Sequence, residues 1–329
     1  MNKHFQDFVL KSTDATAIRS QQVIQTLWSG YGEIVRVALA GSDLNSVILK
    51  YIALPSESIH PRGWNTDLSH ARKIKSYAVE MHWYRDWSDQ CGDECRVAKC
   101  YATTSAADES VIVLEDLDAV GYPLRKSDLD MDGVKLCLRW LANFHATFMA
   151  AKPEGLWQTG TYWHLKTRPD ELAAMAEGDL KNAAAEIDRR LNNCRYQTLV
   201  HGDAKVDNFC FSSDGLAVAA VDFQYVGGGC GMKDVVYFLG SCLSEQQCEQ
   251  WQHELLDYYF TELKQALEIT NKPLDLDLYW DQLKAEWLAM YAVAWTDFYR
   301  FLLGWLPTHR KINPYSQRLA TEVIAELNR

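Results

Sequence analysis

The chain of 329 residues has no apolar run near the roughly 18 residues that a membrane-crossing helix needs; Trp287 to Trp295 is its longest stretch of interest. Its first residues, MNKHFQDFVLKSTD, interleave charges and offer no apolar signal core, so no secretion signal is expected. Basic residues are in deficit, with 33 Lys plus Arg against 44 Asp plus Glu and a formal net charge of −11. The deficit is spread evenly, since residues 1–118 hold 12 basic and 16 acidic groups and residues 119–329 hold 21 and 28. Phosphate contacts dominate nucleic-acid binding, so a chain with no basic cluster is expected to bind no nucleic acid, and no membrane. An acidic surface tolerates cationic small molecules better than anionic polymers. A disulfide framework is also missing. The nine cysteines are scattered, and Cys91, Cys95 and Cys100 lack the fourth ligand and tighter spacing of a zinc site. Reduced thiols and a cytoplasmic location are expected.

Repeats and low-complexity stretches are absent as well, which leaves periodicity to read. Ile18, Val23, Ile24 and Leu27 predict a helix within the first 28 residues. A β-rich stretch follows, with Gly30 and Gly32 before the alternation of Ile34, Val35 and Val37, and a strand SVILKYIAL that carries Lys50. Pro55 and Pro61 punctuate its exit. Residues 69–90 read as a helix, with Ile74, Tyr77, Met81 and Tyr84 on one face and Glu80 beside it. VAKCYATTS and SVIVLEDL read as paired strands. After Leu117 helical period prevails over 134–148, 171–191, 235–243, 248–267, 279–303 and 316–327, with one strand-rich island at 198–226. The order, strands then helices, predicts an α+β protein with a boundary near 118: residues 1–118 and residues 119–329.

The island holds the chemistry. His201-Gly202-Asp203-Ala204-Lys205-Val206-Asp207-Asn208 reads as a loop, and an apolar strand AVAAV then ends in Asp222-Phe223-Gln224. Two acids and an asparagine at loop and strand ends can serve magnesium, which takes hard oxygen ligands, and can accept a proton from a hydroxyl. The competing reading is that they are turn residues, as Asp and Asn often are.

Asp203 and Asn208 carry the D-x-x-x-x-N spacing of the kinase catalytic loop, and Asp222-Phe223-Gln224 stands where those enzymes have D-F-G. With Gly202 after His201, the segment resembles the aminoglycoside phosphotransferase and choline kinase-like superfamily. LVHGDAKVDNFCF, VDFQ, VIVLEDL and LANFHATF most resemble its ecdysteroid-kinase-like branch, over about residues 25–245. The resemblance implies a two-lobed protein-kinase-like fold, with a small β-rich lobe and a larger helical lobe. It implies an enzyme that moves the γ-phosphoryl group of ATP to a hydroxyl of a small molecule. Asp203 would be the catalytic base, and Asn208 and Asp222 would hold Mg²⁺. Lys50 would pair the α/β-phosphates, held by Glu80, while Lys205 would neutralise charge on the phosphoryl group. Glu115, Asp116 and Leu117 would form the hinge that meets the adenine edge, and Gly30 and Gly32 would mark a phosphate-covering loop. Asp234 would cap the helix it opens and brace the catalytic loop.

Alternatives stand beside these roles. Lys50 can be a solvated strand-end lysine, Glu57 and Glu94 compete with Glu80, and the two glycines can mark a plain hairpin turn. A catalytically silent nucleotide-binding protein of the same fold and a metal-dependent hydrolase are the competing functions. Only eleven residues separate Asp222 from Asp234, four of them glycine, and no A-P-E follows. That leaves no room for a phosphorylation-controlled loop or a platform for a protein substrate, and so favours a small acceptor. Trp287, Tyr291, Trp295 and Phe298 form an aromatic face beside Glu286 and Asp297. It can receive a cation, or it can be a buried stripe.

Overall fold

A computed structural model describes residues 3–27, 30–53, 67–106, 109–270 and 276–329, without the side chains of 67 and 276–278. Pro55, Glu57 and Pro61 lie outside the described residues.

The N-terminal segment departs from its expected helix. Helix α1 spans Lys3–Ser12 and stops where Asp14 takes a left-handed φ of 50°. Strand β1, Ala17–Thr26, then carries Ile18, Val23 and Ile24. All three are β-branched, and pairing with a neighbouring strand outweighs their weak helical spacing. β1 is a solvent-exposed edge, with Val23 and Ile24 53% and 47% exposed, so it lacks the alternation that marks a half-buried strand.

The sheet continues with β2, Gly32–Ala40, and β3, Ser46–Ala53. Helix α2, Asp67–Asp86, is followed by β4, Cys100–Ala106, and β5, Glu109–Glu115. The strand order is β1-β2-β3-β5-β4 and every pair is antiparallel. Alternation separates its two faces. Val35, Val37, Val47, Leu49, Val111 and Val113 bury one face against Phe5 and Val9 of α1. Lys50 belongs to the opposite set, in register with Ile34 and Ile112. On that set Ile52 and Ile34 pack with Tyr77 of α2, together with Leu27 and Tyr31.

The helical part begins with α3, Met131–Thr147, whose first turn is capped by Asp130 accepting from the Gly133 N–H. The single helix expected over 171–191 is three: α4, Pro169–Ala174; α5, Asp179–Asn182; and α6, Ala184–Asn192. The extended backbone of Met175 breaks the period there. The island supplies β6, Thr198–Val200; β7, Phe209–Phe211; β8, Val218–Ala220; and β9, Gly227–Gly229, paired as β6-β9 and β7-β8. Four helices complete the chain: α7, Met232–Cys242; α8, Glu245–Thr270; α9, Leu276–Trp305; and α10, Pro314–Leu327. Helix α9 packs on α4, α6, α7, α8 and α10, which is why Trp287, Tyr291, Trp295 and Phe298 are all buried. Asn313 and Ser316 form a reciprocal capping box at the start of α10.

The chain forms two compact units. The first is Met1–Gly92, Arg96–Leu124 and Cys210–Gln224; the second is Asp93–Cys95, Arg125–Phe209 and Tyr225–Arg329. The first unit thus extends past 118 and takes back the segment after the catalytic loop. Bridges of Leu124 to Phe211 and Val97 to Ala220 attach that segment. Among the described residues no helix is long and apolar enough to cross a membrane.

Candidate active site

The first unit holds a buried lysine between two carboxylates. Strand β3 points Lys50 away from the α1 face, and it is 5% exposed. Its Nζ donates to Glu80 Oε1 at 2.8 Å and lies 2.7 Å from Oε2 as an ion-pair contact. Asp222 Oδ1 is 3.3 Å away. Burial alone would push Lys50 down, but Asp222 and Glu80 overcome it and hold the ammonium above its ordinary range. Glu80 is therefore the partner of Lys50. Glu94 belongs to the second unit and pairs with Arg139.

One face of helix α2 meets Phe223 and Gln224, and Gln224 in turn holds Asp222. Lys73, Ser76, Glu80, Trp83 and Tyr84 recur at helical spacing on that face. The Gln224 amide donates to Asp222 Oδ1 at 2.7 Å. Its Oε1 accepts from Lys73 Nζ at 2.7 Å and from Ser76 Oγ at 3.3 Å. The Phe223 ring stacks on Trp83 at 4.5 Å and meets Tyr84 edge-on. Asp222 itself sits at φ 69°, a left-handed conformation that Asp tolerates better than most residues. Lys73 and Ser76 were not singled out from sequence; their positions seven and four residues before Glu80 are the signal that finds them.

The expected hinge has its side chains in use. Asp116 is buried and accepts from Arg36 Nε at 2.7 Å and Ser46 Oγ at 2.6 Å. Glu115 pairs with Arg96, and the Leu117 carbonyl accepts from the Tyr122 N–H. Gly30 and Gly32 lie at the β1–β2 turn with φ of 76° and 133°. They border a cavity of about 460 Å³ with Val35, Leu49 and Tyr51, on the sheet face opposite Lys50.

The second unit holds the catalytic loop. Asn208 Nδ2 donates to the Asp203 carbonyl at 2.8 Å and to Asp203 Oδ2 at 3.1 Å, so the D-x-x-x-x-N spacing closes a local ring. Lys205 Nζ is 3.9 Å from Asp203 Oδ2. His201 Nδ1 accepts from the Asp203 N–H at 3.2 Å, a bracing contact. Asp234 is fully buried and does not cap its own helix, whose N-cap Gly231 has no side chain to do so. Its oxygens instead accept from the His201 N–H at 2.6 Å and the Gly202 N–H at 2.9 Å, and His145 Nε2 lies at 3.2 Å. Gly202 is at φ 80°, and a Cβ there would stand 2.1 Å from the Tyr225 carbonyl oxygen. Only glycine fits the position.

Two tyrosines unmarked by the sequence surround Asp203. The Tyr237 hydroxyl hydrogen-bonds Asp203 and Tyr162, and burial raises both phenols above their ordinary range. The cation-receiving reading of the α9 aromatic face fails. Asp297 is consumed by Arg300 at 2.8 Å, and Glu286 by the N–H groups of Arg195 and Tyr196. That face is core because five neighbouring elements leave it no route to solvent.

Asp222 and Asn208 offer hard oxygen donors of the kind magnesium takes. No group of three or more His, Cys, Asp or Glu able to hold a metal occurs among the described residues. Magnesium is usually bound through one or two carboxylates plus waters and substrate phosphates, so a single carboxylate such as Asp222 in its unit is of the kind it takes.

Comparisons with known proteins bear on the fold and the family. A search of curated proteins gave no significant match. The amicoumacin kinase hAmiN, solved in complex with AMP-PNP, Ca²⁺ and Ami, superposes with a TM-score of 0.57 at 14% identity, covering 99% of this chain and 93% of that one. A microcompartment-associated aminopropanol kinase superposes at 0.52 with 16% identity, covering 98% and 94%. These likenesses show the two-lobed kinase-like fold. Residues 71–162 and 160–272 match the profile of the ecdysteroid kinase-like family, and the chain belongs to that family.

Proposed function

We propose that this chain is an ATP- and magnesium-dependent phosphotransferase whose acceptor is a hydroxyl of a small molecule. The observation that carries the reading is Lys50, buried and charged between Glu80 and Asp222. A desolvated cation on a strand has a use where phosphates must be held, and Glu80 fixes its direction. In the proposed roles Lys50 holds phosphate oxygens, and Asp222 and Asn208 are the magnesium ligands. Bound magnesium would supply positive charge that offsets that of the phosphates. Lys205 adds positive charge, the backbone of Glu115, Asp116 and Leu117 meets the adenine edge, and Gly30 and Gly32 cover the phosphates.

Asp203 orients the acceptor hydroxyl and takes its proton as the oxygen–phosphorus bond forms. The bond from the γ-phosphorus to the bridging oxygen breaks, and ADP leaves with those electrons. Such catalysis is positioning and charge neutralisation. A silent protein of this fold would have little reason to keep Lys50, Asp203, Asn208 and Asp222 together. The scattered spacing of the nine cysteines suits a reducing, cytoplasmic compartment.

The test is incubation with ATP and a metabolite extract, followed by mass spectrometry. A hydroxylated species that gains one phosphate mass supports the reading. ATP cleavage with inorganic phosphate as the sole product contradicts it. Gln224→Ala is expected to weaken the binding of AMP-PNP with Mg²⁺ about tenfold, measured by calorimetry, because Asp222 loses a fixed donor and Lys73 and Ser76 lose their acceptor. Unchanged affinity would show that the contacts serve packing alone.

A further inference from the structure

Lys311 lies in the loop between α9 and α10, and its Nζ sits 4.6 Å from the centroid of the Tyr237 ring and 5.1 Å from that of Phe298. No carboxylate forms a salt bridge with it among the described residues. On its other side Tyr237 hydrogen-bonds Asp203, so one tyrosine separates this lysine from the proposed base. The charged and titratable groups that act on Lys311 are Arg310 of its own loop, Cys242 at the end of α7, and Asp203 and Lys205 of the catalytic loop. Asp203 is the single acid among them. Burial and Arg310 bring the ammonium down to about 8, and Asp203 only partly opposes this.

A half-buried ammonium with no salt-bridged carboxylate among the described residues is under-compensated, and two aromatic faces repay only part of its cost. An anion supplied by a ligand would repay more. We propose that Lys311 is the acceptor-recognition residue, and that the acceptor carries a carboxylate or other anionic group beside its hydroxyl. An amino alcohol would instead bring a third cation beside Lys205 and Lys311 and be disfavoured. The half-buried Tyr162 beside Tyr237 suits an acceptor with a flat apolar body. This inference rests on the phosphotransferase reading and deepens it.

A matched pair of probes tests it: para-(hydroxymethyl)benzoate and para-(hydroxymethyl)benzylamine share ring and hydroxyl and differ in charge. Their binding to the full chain with Mg²⁺ and AMP-PNP is followed by ligand-observed NMR, and their phosphorylation with ATP by mass spectrometry. The acid is expected to bind at least about tenfold more tightly than the amine. Lys311→Arg should keep the preference and Lys311→Met should abolish it. In the wild type the acid's affinity should fall as pH rises through about 8, since deprotonation removes the charge that holds it. Equal binding, preference for the amine, or a preference that survives Lys311→Met overturns the proposal. So does a Lys311→Met variant that loses AMP-PNP affinity instead, which would assign the lysine to the nucleotide. If Lys311→Met fails to fold, the wild-type pH profile and the acid-to-amine ratio decide. Lys311-dependent binding of the acid without phosphate transfer would support the subsite and count against the phosphotransferase reading.

Discussion

Asp203→Ala is expected to bind ATP with Mg²⁺ near wild-type affinity and to lose about a thousandfold in turnover. The split follows from what Asp203 touches. Its carboxylate meets Asn208 Nδ2, the Tyr237 hydroxyl and, at 3.9 Å, Lys205. The Asp203 backbone carbonyl still accepts from Asn208 at 2.8 Å after truncation, so the loop keeps its closing contact. What disappears is the acceptor for the hydroxyl proton. Asp203→Asn retains the shape without the basicity and should be nearly as slow. Isothermal calorimetry with AMP-PNP and a coupled ADP assay separate the two effects. A variant that turns over within a few-fold of wild type would remove Asp203 from the chemistry.

The largest effect on stability is expected at Asp234. Its carboxylate is the acceptor for two buried backbone N–H groups, those of His201 and Gly202, and it lies beside His145. His145 in turn contacts the Tyr259 hydroxyl at 2.7 Å, which links the loop to α8. Asp234→Ala leaves both N–H groups without an acceptor in a site closed to water. The expected loss is about 3–5 kcal/mol of unfolding free energy. Asp234→Asn keeps one accepting oxygen and should lose about half as much. Denaturant titration followed by tryptophan fluorescence reads the difference. A midpoint unchanged in Asp234→Ala would mean that the loop does not depend on this brace.

The parts of the site that were legible in the sequence are those that depend on short-range spacing. Asp203 and Asn208 must be five residues apart to close their ring, so the pattern survives in one string of residues. Strand alternation and helical period place Lys50 and Glu80 on their elements, and the resemblance to the kinase family pairs them, since periodicity alone leaves Glu57 and Glu94 as rivals. The contacts hidden from the sequence cross long separations. Lys73 meets Gln224 from 151 residues away, and the Lys311 that faces Tyr237 comes from a loop with no period to mark it. The exposed strand β1 was misread for a different reason. With almost no buried face it has no apolar alternation, and three β-branched residues at helix-like spacing filled the gap. The aromatic run of α9 pointed to a pocket because composition reports the ring and not its surroundings. Asp297 and Glu286, which would have welcomed a cation, already hold Arg300 and two backbone N–H groups.

The central claim is transfer of the γ-phosphoryl group to a hydroxyl, and its most direct test is the fate of that phosphorus. The wild-type chain is incubated with ATP, Mg²⁺ and a fractionated metabolite extract and followed by ³¹P NMR. The γ resonance of ATP should give way to a phosphomonoester signal in at least one fraction, with no such signal from Asp203→Ala. A γ resonance that yields only inorganic phosphate in every fraction, or the same phosphomonoester from wild type and Asp203→Ala, would contradict the account.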